Sequence, residues 1–288
     1  KKINSRWVTS REKILSSVVV GQNKLTSSGI ELSLIAKNDK LYIGETLAVQ
    51  PFKELSFRDY GRPYRDDFSG MLPPKLAQIM LNLSDAKTSD IILDPFCGSG
   101  TILSEALLMK FENVIGSDIS KKAIDDSRRN IQWINKNWEI KIEKLKLYNS
   151  SAAELSKKIL PKSIDAIITE PYLGPQRGKI NIRNAIAEIE TLYSKTLNEF
   201  KKILKPNGRI AIIFPIFRSN HGSRYILPEL SGYKIINLIP KNLRKNKNIY
   251  LTKRDSIIYG RPGQKIWREI IILQKNNLKI LFNLNSKN

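Results

Sequence analysis

The chain has 288 residues, 41% of them hydrophobic, which supplies a core and excludes a disordered or fibrous chain. No apolar run approaches the ~18 residues of a membrane span, so no membrane association is expected. Against 27 Asp+Glu stand 49 Lys+Arg, but only one cysteine and one histidine, which excludes an internal disulfide and a Cys/His metal site.

The opening KKINSRW lacks the apolar core of a signal peptide, and a cytoplasmic setting is the default expectation. It also lacks Met, so a further N-terminal portion is expected to precede it. Residues 14–49 read as three strands, ILSSVVV, IELSLIA and LYIGETLAV, separated by turn-like segments. Residues 51–72 mix charges with aromatics and read as an irregular linker. Pro73–Pro74 then opens a helix, since proline is tolerated in a first helical turn.

From residue 90 strands alternate with helices. IILD, NVIGSD, KIEKLKLYN and SIDAIIT read as strands, with helices predicted over Gly100–Lys110, Ser120–Trp138 and Ser151–Ile159. Ser120 is placed to cap its helix. A long helix then runs to the breaker KPNG, and RIAIIFPIF follows as a strand. Two late strands, YKIINLI and WREIIIL, flank a basic loop and predict an antiparallel hairpin at one sheet edge. The pattern implies an α/β fold with a mostly parallel sheet and helices on both faces.

DPFCGSGT, residues 94–101, sits where a strand ends and a helix begins. Its glycines let the chain turn tightly and approach a ligand. The dinucleotide fingerprint needs a third glycine and a free helix N-terminus for pyrophosphate. Here an acid, Asp94, precedes Gly98 and Gly100 instead, which repels phosphate and suits a cation such as an ammonium. Asp118 ends the next strand, where an acid accepts hydrogen bonds from ribose hydroxyls. Together they describe a nucleoside with a cationic amino-acid tail, and S-adenosyl-L-methionine fits. Cys97 is then a small loop residue beside the cofactor, and Phe96, Ser99 and Ile119 complete the loops around it.

TEPYLGP, residues 169–175, follows the strand SIDAII. With this motif, residues 68–275 resemble Rossmann-like class I methyltransferases that act on exocyclic amines of nucleobases. Those enzymes carry a D/N/S-P-P-Y/F/W tetrapeptide here, and Thr169, Glu170, Pro171 and Tyr172 occupy the slot. An exocyclic amine is a poor nucleophile because its lone pair is delocalised into the ring. A side-chain oxygen and a carbonyl accept its hydrogens and localise that pair, while the aromatic stacks on the extruded base. Thr169 departs from the usual Asp/Asn/Ser and Glu170 from the usual Pro, so either the hydroxyl or the carboxylate could serve as acceptor. No metal is required.

Within that class, RDYGRPYRDDFSGMLPPKLAQIMLNL, DPFCGSGTILSEALLM and YGRPGQKIWREIIIL are similar to the THUMP-containing tRNA guanosine-10 N2-methyltransferases. The resemblance implies a mostly parallel seven-stranded sheet with an antiparallel edge strand, spanning residues 73–288. It implies that residues 1–50 form the C-terminal part of a THUMP-like RNA-binding domain, an α+β segment. It also places Ser151 and Ala152 near the adenine, and Leu72 and Pro73 at the methionine end of the cofactor.

Charge supports a polyanionic partner. Residues 175–288 hold 23 Lys+Arg against 6 Asp+Glu, whereas residues 84–174 hold 13 of each. Arg177, Lys179 and Arg183 after the TEPYLG loop, and Lys241, Arg244, Lys245 and Lys247 between the late strands, are expected to contact RNA phosphates. The expected reaction is methyl transfer to guanine N2 in tRNA, with the surplus proton leaving to water or Glu170. Two alternatives stay open: a DNA adenine-N6 or cytosine-N4 methyltransferase, and an inactive RNA-binding scaffold. An accessory subunit is not excluded.

Overall fold

A computed structural model describes residues 6–9, 14–65, 70–175, 181–219, 222–246 and 249–276. It divides into two units, Lys1–Gly61 and Arg62–Asn288, with the boundary inside the expected linker.

In the first unit, α1 (Ser17–Gln22) replaces the expected strand ILSSVVV. Its valines favour strands, but Ser16 caps the helix, its Oγ accepting from Val19 N at 3.4 Å. β1 (Leu32–Lys37) and β2 (Lys40–Glu45) pair antiparallel from Leu32↔Glu45 to Lys37↔Lys40. Their turn residues, Asn38 and Asp39, have φ of 48° and 57°. Two left-handed residues match the twist of a two-residue hairpin. Both strands are exposed along their whole length. α2 (Phe52–Tyr60) forms where irregular chain was expected, with Leu55 and Arg58 buried one turn apart.

In the second unit, α3 (Pro74–Leu83) starts at the expected proline pair. β3 (Ile91–Asp94), α4 (Thr101–Leu108), β4 (Asn113–Asp118), α5 (Lys121–Trp138) and β5 (Lys146–Asn149) follow. β6 (Ile164–Thr169), α6 (Ile182–Ile203), β7 (Leu204–Ser219) and β8 (Gly222–Tyr225) come next. β9 (Tyr233–Ile235), β10 (Ile257–Tyr259) and β11 (Ile266–Lys275) close the described chain.

Among the described residues these strands build one nine-stranded sheet with the path β10-β11-β7-β6-β3-β4-β5. β3 to β7 run parallel. The chain winds outward from β3 to β5, returns to β6 beside β3, and winds the other way. Right-handed crossovers then set α4 and α5 against one face and α6 against the other. β3 and β6 therefore flank the topological switch point, and ligands bind outside the carboxyl ends of such strands. β3 and β6 are buried almost throughout, as strands covered on both faces must be. Phe200, Phe214 and Tyr193 are among the largest wholly buried side chains of the core.

The sheet departs from expectation in several places. It has nine described strands rather than seven, and antiparallel β11 lies inside it, between β7 and the outer strands. β9 and β10 pair with different stretches of β11, so its outer edge is closed by two short strands end to end. β5 is shorter than KIEKLKLYN, because a turn from Ile142 to Leu145 precedes it. A single 3₁₀ turn at Leu155–Lys157 stands where a helix over Ser151–Ile159 was expected. KPNG does not separate helix from strand: β7 begins at Leu204, and the register shift opposite β6 absorbs the extra residues. No helix of the described residues is long and apolar enough to cross a membrane.

Candidate active site

The site forms where β3, β4 and β6 end. Asp94, the last residue of β3, is buried. Its Oδ1 accepts from Phe96 N at 3.2 Å and from Thr169 Oγ1 at 2.7 Å. No cation pairs with it among the described residues. Burial pushes the Asp94 carboxyl up to about 7, and the charges of Asp118 and Glu170 add to this. The hydrogen bonds from Thr169 and Phe96 act the other way. A buried acid among acids is a place where a cation is stabilised.

Asp118 ends β4 and holds the loops on either side. Its Oδ2 accepts from Gly98 N at 3.0 Å and its Oδ1 from Ser120 N at 2.9 Å. Gly98 and Gly100 have φ of 51° and 85°, where a side chain is strained. A Cβ at Gly100 would also sit 2.4 Å from Ser127 Oγ. Glycine is therefore required twice over at Gly100, to turn the chain and to seat it on α5. Cys97 is buried beside these acids, and burial raises its thiol well above the ordinary value, so it packs and stays protonated.

Ile119, directly after β4, is 75% exposed. Asn149 fixes its backbone, donating to Asp118 O at 3.0 Å and Ile119 O at 2.8 Å. Ser151 starts the turn after β5, its Oγ accepting from Ala153 N at 3.3 Å, and Ala152 is buried. Ser99 is held through its carbonyl by Asn130 Nδ2 at 2.9 Å. Leu72 is buried in the core and Pro73 precedes α3. Asn130, Asn149 and Arg62 carry no sequence signal for these contacts; the Arg62 Nη1 donates to Thr101 Oγ1 at 2.6 Å. All three act on backbone or on a helix start across long separations, which no local motif reveals.

The TEPY segment differs in detail from its expected use. Thr169 is wholly buried and its hydroxyl hydrogen goes to Asp94. Glu170 is clamped by Arg268 of β11, Nε to Oε1 at 2.5 Å and Nη2 to Oε2 at 3.2 Å. This partner, 98 residues away, was invisible in the sequence. Burial works against the Arg268 charge, but Glu170 outweighs it and the guanidinium is held more firmly protonated than usual. Tyr172 is 52% exposed, and its carbonyl accepts from the buried Tyr193 hydroxyl at 3.2 Å. The backbone is thus fixed while the ring stays accessible. Gly174, φ 98°, lets the chain pass close to Ile189 and Phe217.

The basic residues divide. Arg183, Lys241 and Lys245 are exposed. Arg177, Lys179 and Lys247 lie outside the described residues. Arg244, expected among the phosphate contacts, also pairs within the chain: Nη1 donates to Asp255 Oδ2 at 2.6 Å and Nε to Ile239 O at 2.9 Å. It pins the basic loop. A cationic and aromatic feature that was not anticipated is Arg218, whose guanidinium stands 4.5 Å over the Trp267 ring.

Residues 62–219 match the family described as "UPF0020: RMKL-like, methyltransferase domain". The chain belongs to this methyltransferase family. The matched region runs from Arg62 through both loop motifs to the end of β7. The chain is 34% identical over 179 residues to a tRNA (guanine(10)-N2)-dimethyltransferase of Methanothermobacter thermautotrophicus, covering 62% of this chain and 48% of that relative. It is 28% identical over 239 residues to one of Pyrococcus abyssi, covering 80% and 64%. A tRNA (guanine(6)-N2)-methyltransferase of Thermus thermophilus is 25% identical over 191 residues, 66% of this chain and 51% of that relative. The chain thus spans about half to two thirds the length of these curated relatives. Among solved structures, TrmN from Thermus thermophilus superposes with a TM-score of 0.52 at 20% identity, covering 93% of this chain and 70% of that one. That likeness supports the Rossmann-like fold.

Proposed function

We propose that this methyltransferase transfers a methyl group from S-adenosyl-L-methionine to the exocyclic N2 of a guanosine in tRNA, position 10 first among candidates. The observation that carries the reading is the pair Asp94 and Asp118 at neighbouring strand ends, with no cation of the described chain on Asp94 and the exposed Tyr172 in the loop that follows the adjacent strand β6. The names of the relatives support the choice of tRNA and of guanine N2.

The residues fit the cofactor. Asp94 suits the ammonium of its methionine tail, and Leu72 and Pro73 border that end. Asp118 keeps lone pairs beyond its two backbone bonds for the ribose hydroxyls. Ile119, Ser151 and Ala152 would hold the adenine. When bound, the cofactor supplies a methyl on a sulfonium whose carbon–sulfur bond breaks with both electrons left on sulfur. The guanine N2 lone pair makes the new nitrogen–carbon bond, and the nitrogen then releases a proton to water. The chain's own work is orientation and acceptance of the amine hydrogens, for which no strong base is needed. With Thr169 wholly buried, Glu170 is the acceptor this reading favours. Residues 1–50 and the exposed Arg183, Lys241 and Lys245 then serve RNA docking, with Arg177, Lys179 and Lys247 assigned to the same phosphates.

The test is incubation with labelled cofactor and either tRNA or duplex DNA, then mass analysis of the nucleosides. N2-methylguanosine from tRNA is expected. Methylated adenine or cytosine from DNA alone would overturn the substrate, and cofactor binding without any methylated nucleoside would favour the scaffold reading.

A further inference from the structure

The Glu170–Arg268 pair asks for an explanation beyond stability. Both side chains are only 12% exposed, and removing two charges from water to pair them returns little net stability. Arg268 stands opposite Pro215 of β7, so it reaches past a strand to meet the acid at the end of β6. Glu170 lies directly after Thr169, which holds Asp94, and two residues before the exposed Tyr172. The pair therefore stands between the proposed cofactor site and the ring proposed to stack on the target base.

The fork leaves capacity unspent. An ionised carboxylate has about four lone-pair positions and a guanidinium five N–H donors. Two of each are used in the two hydrogen bonds of the clamp. Remaining are acceptors on Glu170 and donors on Arg268, side by side. Guanine presents a matching edge: two adjacent donors, N1–H and N2–H, then the acceptor O6. Adenine and cytosine present an amine donor next to a ring-nitrogen acceptor and have no such order.

Resting on the proposed reaction at guanine N2, we infer that Glu170 and Arg268 together read the Watson–Crick edge of the target base, the carboxylate facing N2–H and N1–H and the guanidinium facing O6. Glu170 both localises the N2 lone pair and selects guanine. Arg268 is a positioning residue for Glu170 as well as a donor. An unpaired glutamate could rotate away from the base. A lysine could supply the charge but not the planar fork.

The probes are tRNA transcripts carrying 2-aminopurine or 2,6-diaminopurine at the methylated position. Both keep the 2-amino group, both lose the N1 hydrogen, and neither has O6. The wild-type chain should methylate guanine at least ~100-fold more efficiently in kcat/KM than either analogue, because buried polar groups are left unmatched. E170Q should bring that ratio below about tenfold by losing rate on guanine, since an amide offers one donor and one acceptor. R268M should narrow it similarly, and R268K should restore only part. S-adenosylhomocysteine affinity and thermal melting report whether each variant is folded, and E170Q, isosteric with wild type, covers the case in which R268M does not fold. Equal rates on all three bases by wild type would overturn the inference. So would wild-type discrimination in folded E170Q. In either case N2-methylguanosine formation would leave the proposed reaction standing, whereas its absence from every wild-type tRNA digest would overturn both.

Discussion

Thr169 Oγ1 donates a 2.7 Å hydrogen bond to Asp94 Oδ1, joining the ends of β6 and β3 across the switch point of the sheet. The bond favours the ionised form of an acid that burial otherwise opposes. Thr169→Val keeps the shape and removes the donor. A hydrogen bond to a charged group contributes about 1.5–3 kcal/mol, so S-adenosylhomocysteine should bind roughly 10- to 150-fold more weakly by calorimetry. The single-turnover methylation rate at saturating cofactor should change little. Intact affinity with a collapsed single-turnover rate would instead put the Thr169 oxygen on the substrate amine.

Asp94 also sets a pH dependence. Its carboxyl is raised from 3.8 to about 7, chiefly by burial. A cationic ligand needs the carboxylate, so cofactor affinity should climb from pH 5.5 to 7.5 and flatten once Asp94 is ionised. The unliganded protein has the opposite trend. Between 3.8 and about 7 the native state binds more protons than the unfolded one, so this group's contribution to stability is greatest at low pH and falls as pH rises. Asp94→Asn should bind weakly with a flat profile over that range, and should lose this share of the decline in urea midpoint. A wild-type affinity independent of pH across 5.5–7.5 would contradict the assignment.

The contrast between these two loops and the rest of the chain explains what a sequence can show. The positions of Asp94, Gly98, Gly100 and Asp118 were readable because each lies within a few residues of a strand end, where topology alone decides position. Arg268 was not, because its role depends on β11 lying beside β7, which places it against a residue 98 positions away. Ser17–Gln22 was misread because Val18–Val20 favour strands locally, while a cap at Ser16 and the burial of Val20 settle the helix. The pairing of Arg244 with Asp255 was not legible, because composition cannot distinguish a free cation from a paired one. The β7–β8 hairpin escaped notice since RIAIIFPIF reads as a complete strand, yet β7 continues to Ser219 and turns back.

Arg254 is a second cation whose place is structural. It forks onto Glu269, Nε to Oε1 at 2.7 Å and Nη2 to Oε2 at 2.6 Å, and Ser256 Oγ also donates to the same carboxylate. Glu269 is wholly buried in the middle of β11. Arg254→Met removes one charge and strands the other. The expected cost is about 3–5 kcal/mol, read from the urea midpoint and slope. Adding Glu269→Gln should recover much of it, because the buried charge disappears. A single-variant loss below about 1 kcal/mol would mean that water reaches Glu269.

Tyr172 offers the most direct view of the substrate side. Its carbonyl is tied to Tyr193 and Gly174 turns the chain just after it, so the ring's position is set by backbone. The side chain is half exposed, an arrangement that leaves one aromatic face available for a base. Stacking of a base on an aromatic contributes about 1–3 kcal/mol. Tyr172→Ala should therefore lower kcat/KM on tRNA by roughly 5- to 150-fold, while S-adenosylhomocysteine affinity is unchanged. Tyr172→Phe keeps the face and should stay within about twofold of wild type, since the hydroxyl has no part in stacking. If Tyr172→Phe fell as far as Tyr172→Ala, the hydroxyl would be the working group and the base would lie elsewhere.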